Sequence, residues 1–240
     1  MRIGLDAMGG DYAPLEAIKG AISAKKVLPE INPVLFGHKD RILEVYKELG
    51  IPENTFEIVH AEEVIEMSEH ATKAIAHKKT SSINIGFKHL AEKQIEAFIG
   101  AGNTGAMLVG SMFSVKAIDG VQRPTITSIL PKQDGTFGVL LDVGANADCK
   151  PEILNQFAIL GSLYAQHVYG IENPKVALLS IGEEKEKGNL LIQAAYTQLE
   201  DNDRINFIGN VEGRDLFNEK ADVIVCDGYT GNIVLKVCEN

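Results

Sequence analysis

The feature that most constrains this chain is a repeated local pattern: a short apolar run, a glycine-rich turn, then residues at helical spacing. The fullest case is Ile95-Glu96-Ala97-Phe98-Ile99-Gly100-Ala101-Gly102-Asn103-Thr104-Gly105-Ala106, followed by Met107-Leu108-Val109-Gly110. It predicts a buried strand, a tight turn and a helix starting near Asn103 or Thr104, whose first N–H groups have no carbonyl partner. Glycine lets backbone approach a ligand closely, and a helix start carries partial positive charge, so such a turn suits a phosphate or carboxylate. Taken alone, it reads equally as a strand-to-helix turn with an Asn or Thr cap.

The same alternation runs through the chain. Residues 3–8 read as a strand that Gly9-Gly10-Asp11 turns into a helix with Pro14 in its first turn. A strand at 34–37, a helix at 40–49 stopped by Gly50 and Pro52, and a strand at 56–61 follow. Residues 62–94 read as mostly helical, Ser81 and Ser82 opening a helix over 83–92. Apolar runs at 125–130 and 137–143 flank Asp134-Gly135, a hairpin signal. A long helix is predicted from Pro151 to Tyr169 with Gly170 as its stop, then strands at 175–180, 205–209 and 222–226 with helices after 189 and 232. The expectation is an α/β, three-layer fold, mainly parallel with one antiparallel hairpin. It would be one domain over residues 1–240, with the break in pattern at 119–136 as the candidate subdomain change. Ligands in open α/β sheets sit beyond the carboxyl ends of strands, where five glycine-bearing loops fall: 9–11, 102–105, 144–150, 182–189 and 228–232.

Composition narrows the function. A net charge of −10 argues against nucleic-acid binding, which needs clustered cations. Lys73, Lys78, Lys79, Lys88 and Lys93 could form a local basic patch, or simply solvated helix faces. No apolar run reaches the roughly 20 residues of a membrane span, and Met1-Arg2-Ile3 enters a strand pattern without an export signal, so a cytoplasmic protein is expected. Cys149, Cys226 and Cys238 are widely spaced, and the six histidines show no HExxH arrangement, so neither a disulfide framework nor a histidine metal site is indicated.

The loops offer amides at Asn103, Asn146, Asn189 and Asn232, carboxylates at Asp6, Asp11, Asp142, Asp148, Glu183 and Asp227, and one prominent cation, Lys187. GxGxxG after the first strand, GxxxxGK[ST] and GxSxG are all absent, which lowers dehydrogenase, nucleotide-hydrolysing and serine acyl-enzyme readings. Cys149 beside Lys150 could be a nucleophile but reads better as a small packing residue. Glu183-Glu184 could meet Mg²⁺ but reads better as solvated or lysine-paired, and Lys187 is either a surface lysine or an anion-facing one.

Six collinear segments carry a resemblance: Asp6-Ala7-Met8-Gly9-Gly10-Asp11; Ala101 to Ala106; Leu141-Asp142-Val143-Gly144-Ala145-Asn146-Ala147-Asp148-Cys149-Lys150-Pro151; Ile181-Gly182-Glu183-Glu184 with Lys187-Gly188-Asn189; Gly209-Asn210-Val211-Glu212-Gly213-Arg214-Asp215; and Asp227-Gly228-Tyr229-Thr230-Gly231-Asn232. Together they resemble the PlsX family, the phosphate acyltransferases of bacterial phospholipid synthesis. The resemblance implies a fold similar to isocitrate and isopropylmalate dehydrogenases and to phosphotransacetylase. It also implies transfer of a fatty acyl group from acyl carrier protein to inorganic phosphate, without a cofactor. The acyl phosphate product would feed a glycerol-phosphate acyltransferase, and the enzyme would be a homodimer associated peripherally with the membrane. Lys187 and Asn232 fall on catalytic positions. Asp6, Gly9, Gly10, Asp11, Gly102, Asn103, Thr104, Gly105, Asn146, Asn189 and Gly231 fall on phosphate or substrate positions.

The implied chemistry asks for positioning and charge stabilisation, because phosphate is itself the nucleophile and a thiol is a good leaving group. Members of that family are longer, and this chain stops inside the helix after Asn232, so a C-terminal part is expected to be missing. The alternatives are a phosphotransacetylase-like enzyme using acyl-CoA, a hydroxy-acid dehydrogenase of similar fold, and a non-enzymatic scaffold.

Overall fold

The computed structural model describes residues 1–239, and the chain divides into two compact units, Met1–Lys116 and Ala117–Asn240. The first contains β1 (Arg2–Asp6), α1 (Leu15–Val27), β2 (Asn32–Gly37), α2 (Lys39–Leu49), β3 (Glu57–His60), α3 (Ala71–His77), α4 (Ser82–Ala91), β4 (Ala97–Ile99) and α5 (Thr104–Ser114). Its four strands are parallel, in the order β3-β2-β1-β4. Alternate β2 residues face opposite layers. Leu35 packs with Ile18, Ile42 and Tyr46 of α1 and α2, whereas Val34 and Phe36 pack with Ile95 and Phe98. Burial on both faces explains why Val-Leu-Phe is a continuous apolar run.

The second unit contains β5 (Thr127–Pro131), β6 (Phe137–Leu141), α6 (Pro151–Tyr169), β7 (Lys175–Leu179), α7 (Leu190–Glu200), β8 (Asn206–Val211), a 3-10 turn at Gly213–Asp215, β9 (Val223–Val225) and α8 (Gly228–Cys238). The strand order is β5-β6-β9-β7-β8, with only the β5/β6 hairpin antiparallel. Val139, Leu141, Val176, Leu178, Val223 and Val225 face α6 and α7. Leu140, Ala177, Leu179 and Ile224 line the opposite layer, against which Val234 and Leu235 of α8 pack.

The α/β class, the mainly parallel pairing and the hairpin match the sequence pattern, but the strands form two sheets where that pattern suggested one. Residues 115–126, which link them in sequence, contribute no strand or helix. Two local differences also have physical causes. The first strand ends at Asp6 and not residue 8, because the Asp6 carboxylate accepts the Met8 N–H at 3.0 Å and forms a side-chain turn. Within 62–94 the segment before α3 stays irregular, and the Asn103 amide takes two of its carbonyls, Glu66 O and Glu69 O, at 2.9 and 3.0 Å.

Candidate active site

In the first unit, β2 lies on one side of β1 and β4 on the other, so the strand order reverses at β1. Such a reversal opens the crevice where open α/β sheets bind ligands. The turns leaving β1 and β4 meet there backbone to backbone. A Cβ on Gly9 would lie 2.7 Å from Gly102 N, and one on Gly102 would lie 2.6 Å from Gly9 Cα. Glycine is required at both positions because any side chain would push the turns apart. Asp6 is buried beneath them, and burial raises its carboxyl above the ordinary aspartate range, against the opposing pull of the Ser82 side chain and the Met8 N–H.

Asn103 holds the second turn. In the left-handed region (φ 37°), it caps α5 by accepting the Ala106 N–H at 2.9 Å, while its Nδ2 is engaged by the Glu66 and Glu69 carbonyls. Its amide is therefore committed, and what faces outward is backbone. Thr104 and Gly105 are exposed at the start of α5, and their N–H groups have no acceptor among the described residues. Gly10 (φ 91°) lies beside Ala101, and Asp11 is exposed on the way to α1.

In the second unit the organising group is Asp142, just past the end of β6 and fully buried. Its Oδ1 accepts from the N–H groups of Ile126, Gly144 and Ala145 at 3.1, 3.2 and 3.1 Å. Its Oδ2 accepts from Asn146 N and Nδ2 at 2.7 and 2.8 Å. Five donors compensate the burial of one charge, and they fix the 142–146 loop. Asn146 is itself spent on that loop, also donating to Pro124 O at 2.8 Å and accepting the Gly228 N–H at 2.8 Å. The loop packs so closely on α8 that a Cβ on Gly231 would come within 1.9 Å of Asp142 O. Asn232, one residue on, donates Nδ2 to Val143 O at 3.1 Å and has no other side-chain partner among the described residues.

Lys187 sits on the loop between β7 and α7. Glu183 anchors that loop through Lys220 Nζ at 2.8 Å and Arg214 at 3.1 Å, and these partners hold its carboxyl below the usual glutamate range. Asn210 Nδ2 holds Glu184 O at 2.9 Å, and the Lys187 N–H returns to the same carbonyl at 3.0 Å. Lys185 pairs with Glu200. Lys187 alone of this run's cations has no ionic or hydrogen-bonding partner for its ammonium among the described residues, and it is exposed. Two residues on, Asn189 caps α7 by accepting the Ile192 N–H at 2.9 Å. A cavity of about 430 Å³ opens beside it, lined by Ser180, Ile181, Gly188, Asn189, Asp227 and Thr230 among others.

The surroundings of Cys149 disfavour the thiolate. Burial, then the carboxylates of Asp142 and Asp227, push its thiol up to about 11. The loop-bracing roles of Asn210 and the Glu183 ion pairs escape sequence reasoning, since each joins residues far apart in the chain, as does the Ile126 N–H that Asp142 accepts; the other Asp142 donors lie within four residues of it. Asp227, one of the loop carboxylates the sequence offers, caps α8 by accepting the Thr230 N–H at 2.8 Å.

The family model described as "Fatty acid synthesis protein" matches residues 1–240. Over 239 residues the chain is 48% identical to a phosphate acyltransferase of Dictyoglomus turgidum, covering all of this chain and 71% of that one. It is 47% identical over 240 residues to a phosphate acyltransferase of Halothermothrix orenii, covering 72% of it. Among solved structures it is similar to the EutD phosphotransacetylase of Staphylococcus aureus, with TM-score 0.68 and 15% identity, and to a phosphotransacetylase of Streptococcus pyogenes, with TM-score 0.70 and 14% identity. Each match covers all of this chain and 81% of the other, and at such identities it shows a shared fold.

Proposed function

Because this chain belongs to the fatty acid synthesis protein family, whose close relatives are phosphate acyltransferases, we propose that it transfers a fatty acyl group from acyl carrier protein to inorganic phosphate. A phosphate oxygen attacks the thioester carbonyl, the C–O bond forms, the C–S bond breaks, and the carrier leaves as thiolate. What supports the reading is that the loops leaving the neighbouring strands β7 and β9 lead to an uncommitted ammonium, Lys187, and to a half-tethered amide, Asn232, while the Cys149 thiol is pushed up to about 11. That inventory suits a reaction whose nucleophile arrives with the substrate.

Lys187 offsets the crowded negative charge, and Asn232 donates to the oxyanion of the tetrahedral intermediate. Taken by itself, the first unit offers an anion site: the Thr104 and Gly105 N–H groups at the start of α5 suit a phosphate, with Asn103 fixing their direction and Gly9, Gly10, Gly102, Asp6 and Asp11 shaping the turns. Asn146, Asn189 and Gly231 keep the loops around Lys187 and Asn232 in place. On this reading the enzyme is a cytoplasmic homodimer, peripheral at the membrane, and its product supplies a glycerol-phosphate acyltransferase. No helix among the described residues is long and apolar enough to cross a membrane.

The test follows free thiol and hydroxylamine-trapped acyl product with acyl carrier protein and coenzyme A thioesters, with phosphate present and omitted. Phosphate-dependent release, faster from the carrier protein, is expected. Equal thiol release without phosphate would rule the reaction out.

A further inference from the structure

Where the turns leaving β1 and β4 cross, hydrogen-bond donors and an acceptor look onto the same small space. A Cβ on Gly9 would stand 2.7 Å from Gly102 N and 2.9 Å from Asp6 Oδ2, and one on Gly102 would stand 2.7 Å from Gly10 N. Glycine keeps both points clear of side chain. The Gly10 and Gly102 N–H groups have no acceptor among the described residues.

Asp6 supplies the acceptor. It is 2% exposed, its Oδ1 is taken by the Met8 N–H, and its Oδ2 has neither a hydrogen-bond donor nor a cation beside it among the described residues. From α4, the Ser82 hydroxyl comes close enough to lower the Asp6 carboxyl but stands outside hydrogen-bond geometry with it. Ser82 is 1% exposed, and its Oγ has no other partner among the described residues. A buried hydroxyl and a buried carboxylate oxygen without partners both cost free energy that a ligand bonding to them would recover.

Backbone N–H groups by themselves accept any oxyanion. A carboxylate oxygen facing the same space changes the choice. Near neutral pH, hydrogen phosphate and hydrogen arsenate carry a proton that they can donate, whereas sulfate carries none. Sulfate would set its own oxygens against Oδ2 in a buried, weakly screened place, and that repulsion excludes it.

We propose that Asp6 Oδ2 accepts the hydroxyl proton of an oxyanion held at the Gly102 N–H, so that the anion site of the first unit takes hydrogen phosphate and rejects sulfate. The proposal rests on the reading of that unit as an anion site. The two carboxylate oxygens divide the work: Oδ1 shapes the turn through Met8, and Oδ2 reads the ligand.

The experiment titrates the ¹⁵N-labelled parent and Asp6→Asn with inorganic phosphate, arsenate and sulfate near neutral pH at constant ionic strength, following the Gly102 amide resonance so that binding elsewhere on the chain does not count. In the variant the Met8 N–H keeps an oxygen at the Oδ1 position, so the amide NH₂ takes the Oδ2 position and donates where the carboxylate accepts. The parent is expected to bind phosphate and arsenate at least about tenfold more tightly than sulfate, and the variant to bring the three within about threefold. A parent whose Gly102 amide responds equally to phosphate and sulfate, or to neither, overturns the proposal, and so does a variant that keeps the parent's preference. Should the variant not fold, the parent's preference at Gly102 decides alone. No acyl donor is present, so the two readings fail separately. Acyl phosphate formed by a parent without the preference keeps the reaction and rejects the role of Asp6, whereas the preference in a parent that forms no acyl phosphate keeps that role and rejects the reaction.

Discussion

Replacing Asp142 by Asn tests whether one buried carboxylate holds the second unit's reactive loop. The side chain keeps its shape, but one acceptor oxygen becomes an NH₂ group. If that group takes the Oδ2 position it faces the Asn146 N–H and Nδ2, and if it takes the Oδ1 position it faces three backbone N–H groups. The amide will settle in the first orientation, which loses two bonds. Hydrogen bonds to a charged group contribute roughly 1.5–3 kcal/mol each, and relief of the buried charge offsets part of their loss, so about 3 kcal/mol of stability should disappear. For a chain of this length that lowers Tm by roughly 6–12 °C. Because Val143 O anchors Asn232 and Asn146 O anchors Gly228, the kcat for acyl phosphate formation should fall more than about tenfold as well. Thermal denaturation followed by circular dichroism gives the first number and the hydroxamate assay the second. A Tm within about 2 °C of the parent and an unchanged kcat would refute the reasoning.

Lys187→Ala should reduce kcat by about a hundredfold or more and leave Tm unchanged, since its ammonium has no partner among the described residues; a matching fall in Tm would make it a structural residue. Gly102→Ala should lower Tm measurably in a thermal scan, because its Cβ meets Gly9 Cα and Gly10 N at 2.6 and 2.7 Å. Peptide-resolved alkylation with iodoacetamide should modify exposed Cys238 at pH 8 and spare Cys149 until the pH approaches 11, and Cys149→Ser should keep its activity. Burial raises the Asp6 carboxyl, so the folded chain binds that proton more tightly than the unfolded chain does, and its contribution to stability falls as pH rises above the usual aspartate value near 3.8. Asp6→Asn, which keeps an acceptor for Met8 N, should therefore gain stability relative to the parent between pH 3 and 7 in urea titrations, where a constant difference would contradict the assignment.

The parts legible in the sequence are those governed by near neighbours. Both ends of α6 follow from Pro151 at its first position and Gly170 in the left-handed region (φ 69°), and its buried residues keep helical spacing. The hairpin follows from Asp134-Gly135, with Gly135 at φ 85° and strands in register from Thr127↔Leu141 to Pro131↔Phe137. What pairs across long separations stays hidden. An Asn before a helix announces a cap, yet nothing local shows that the other end of the Asn103 amide is spent on Glu66 and Glu69, more than 30 residues upstream. The expectation of a side chain facing phosphate thus becomes a proposal about the backbone N–H groups of Thr104 and Gly105. In the same way, Glu-Glu-Lys-Glu-Lys gives no hint of which lysine stays unpaired until Arg214 and Lys220 are seen on Glu183 and Glu200 on Lys185.

The central claim is that inorganic phosphate is the acyl acceptor, and radiolabelled phosphate tests it directly. With a long-chain acyl thioester of acyl carrier protein, the account predicts one labelled acyl phosphate formed for each thiol released, and loss of both with Lys187→Ala. Thiol release that leaves the label in inorganic phosphate would contradict it.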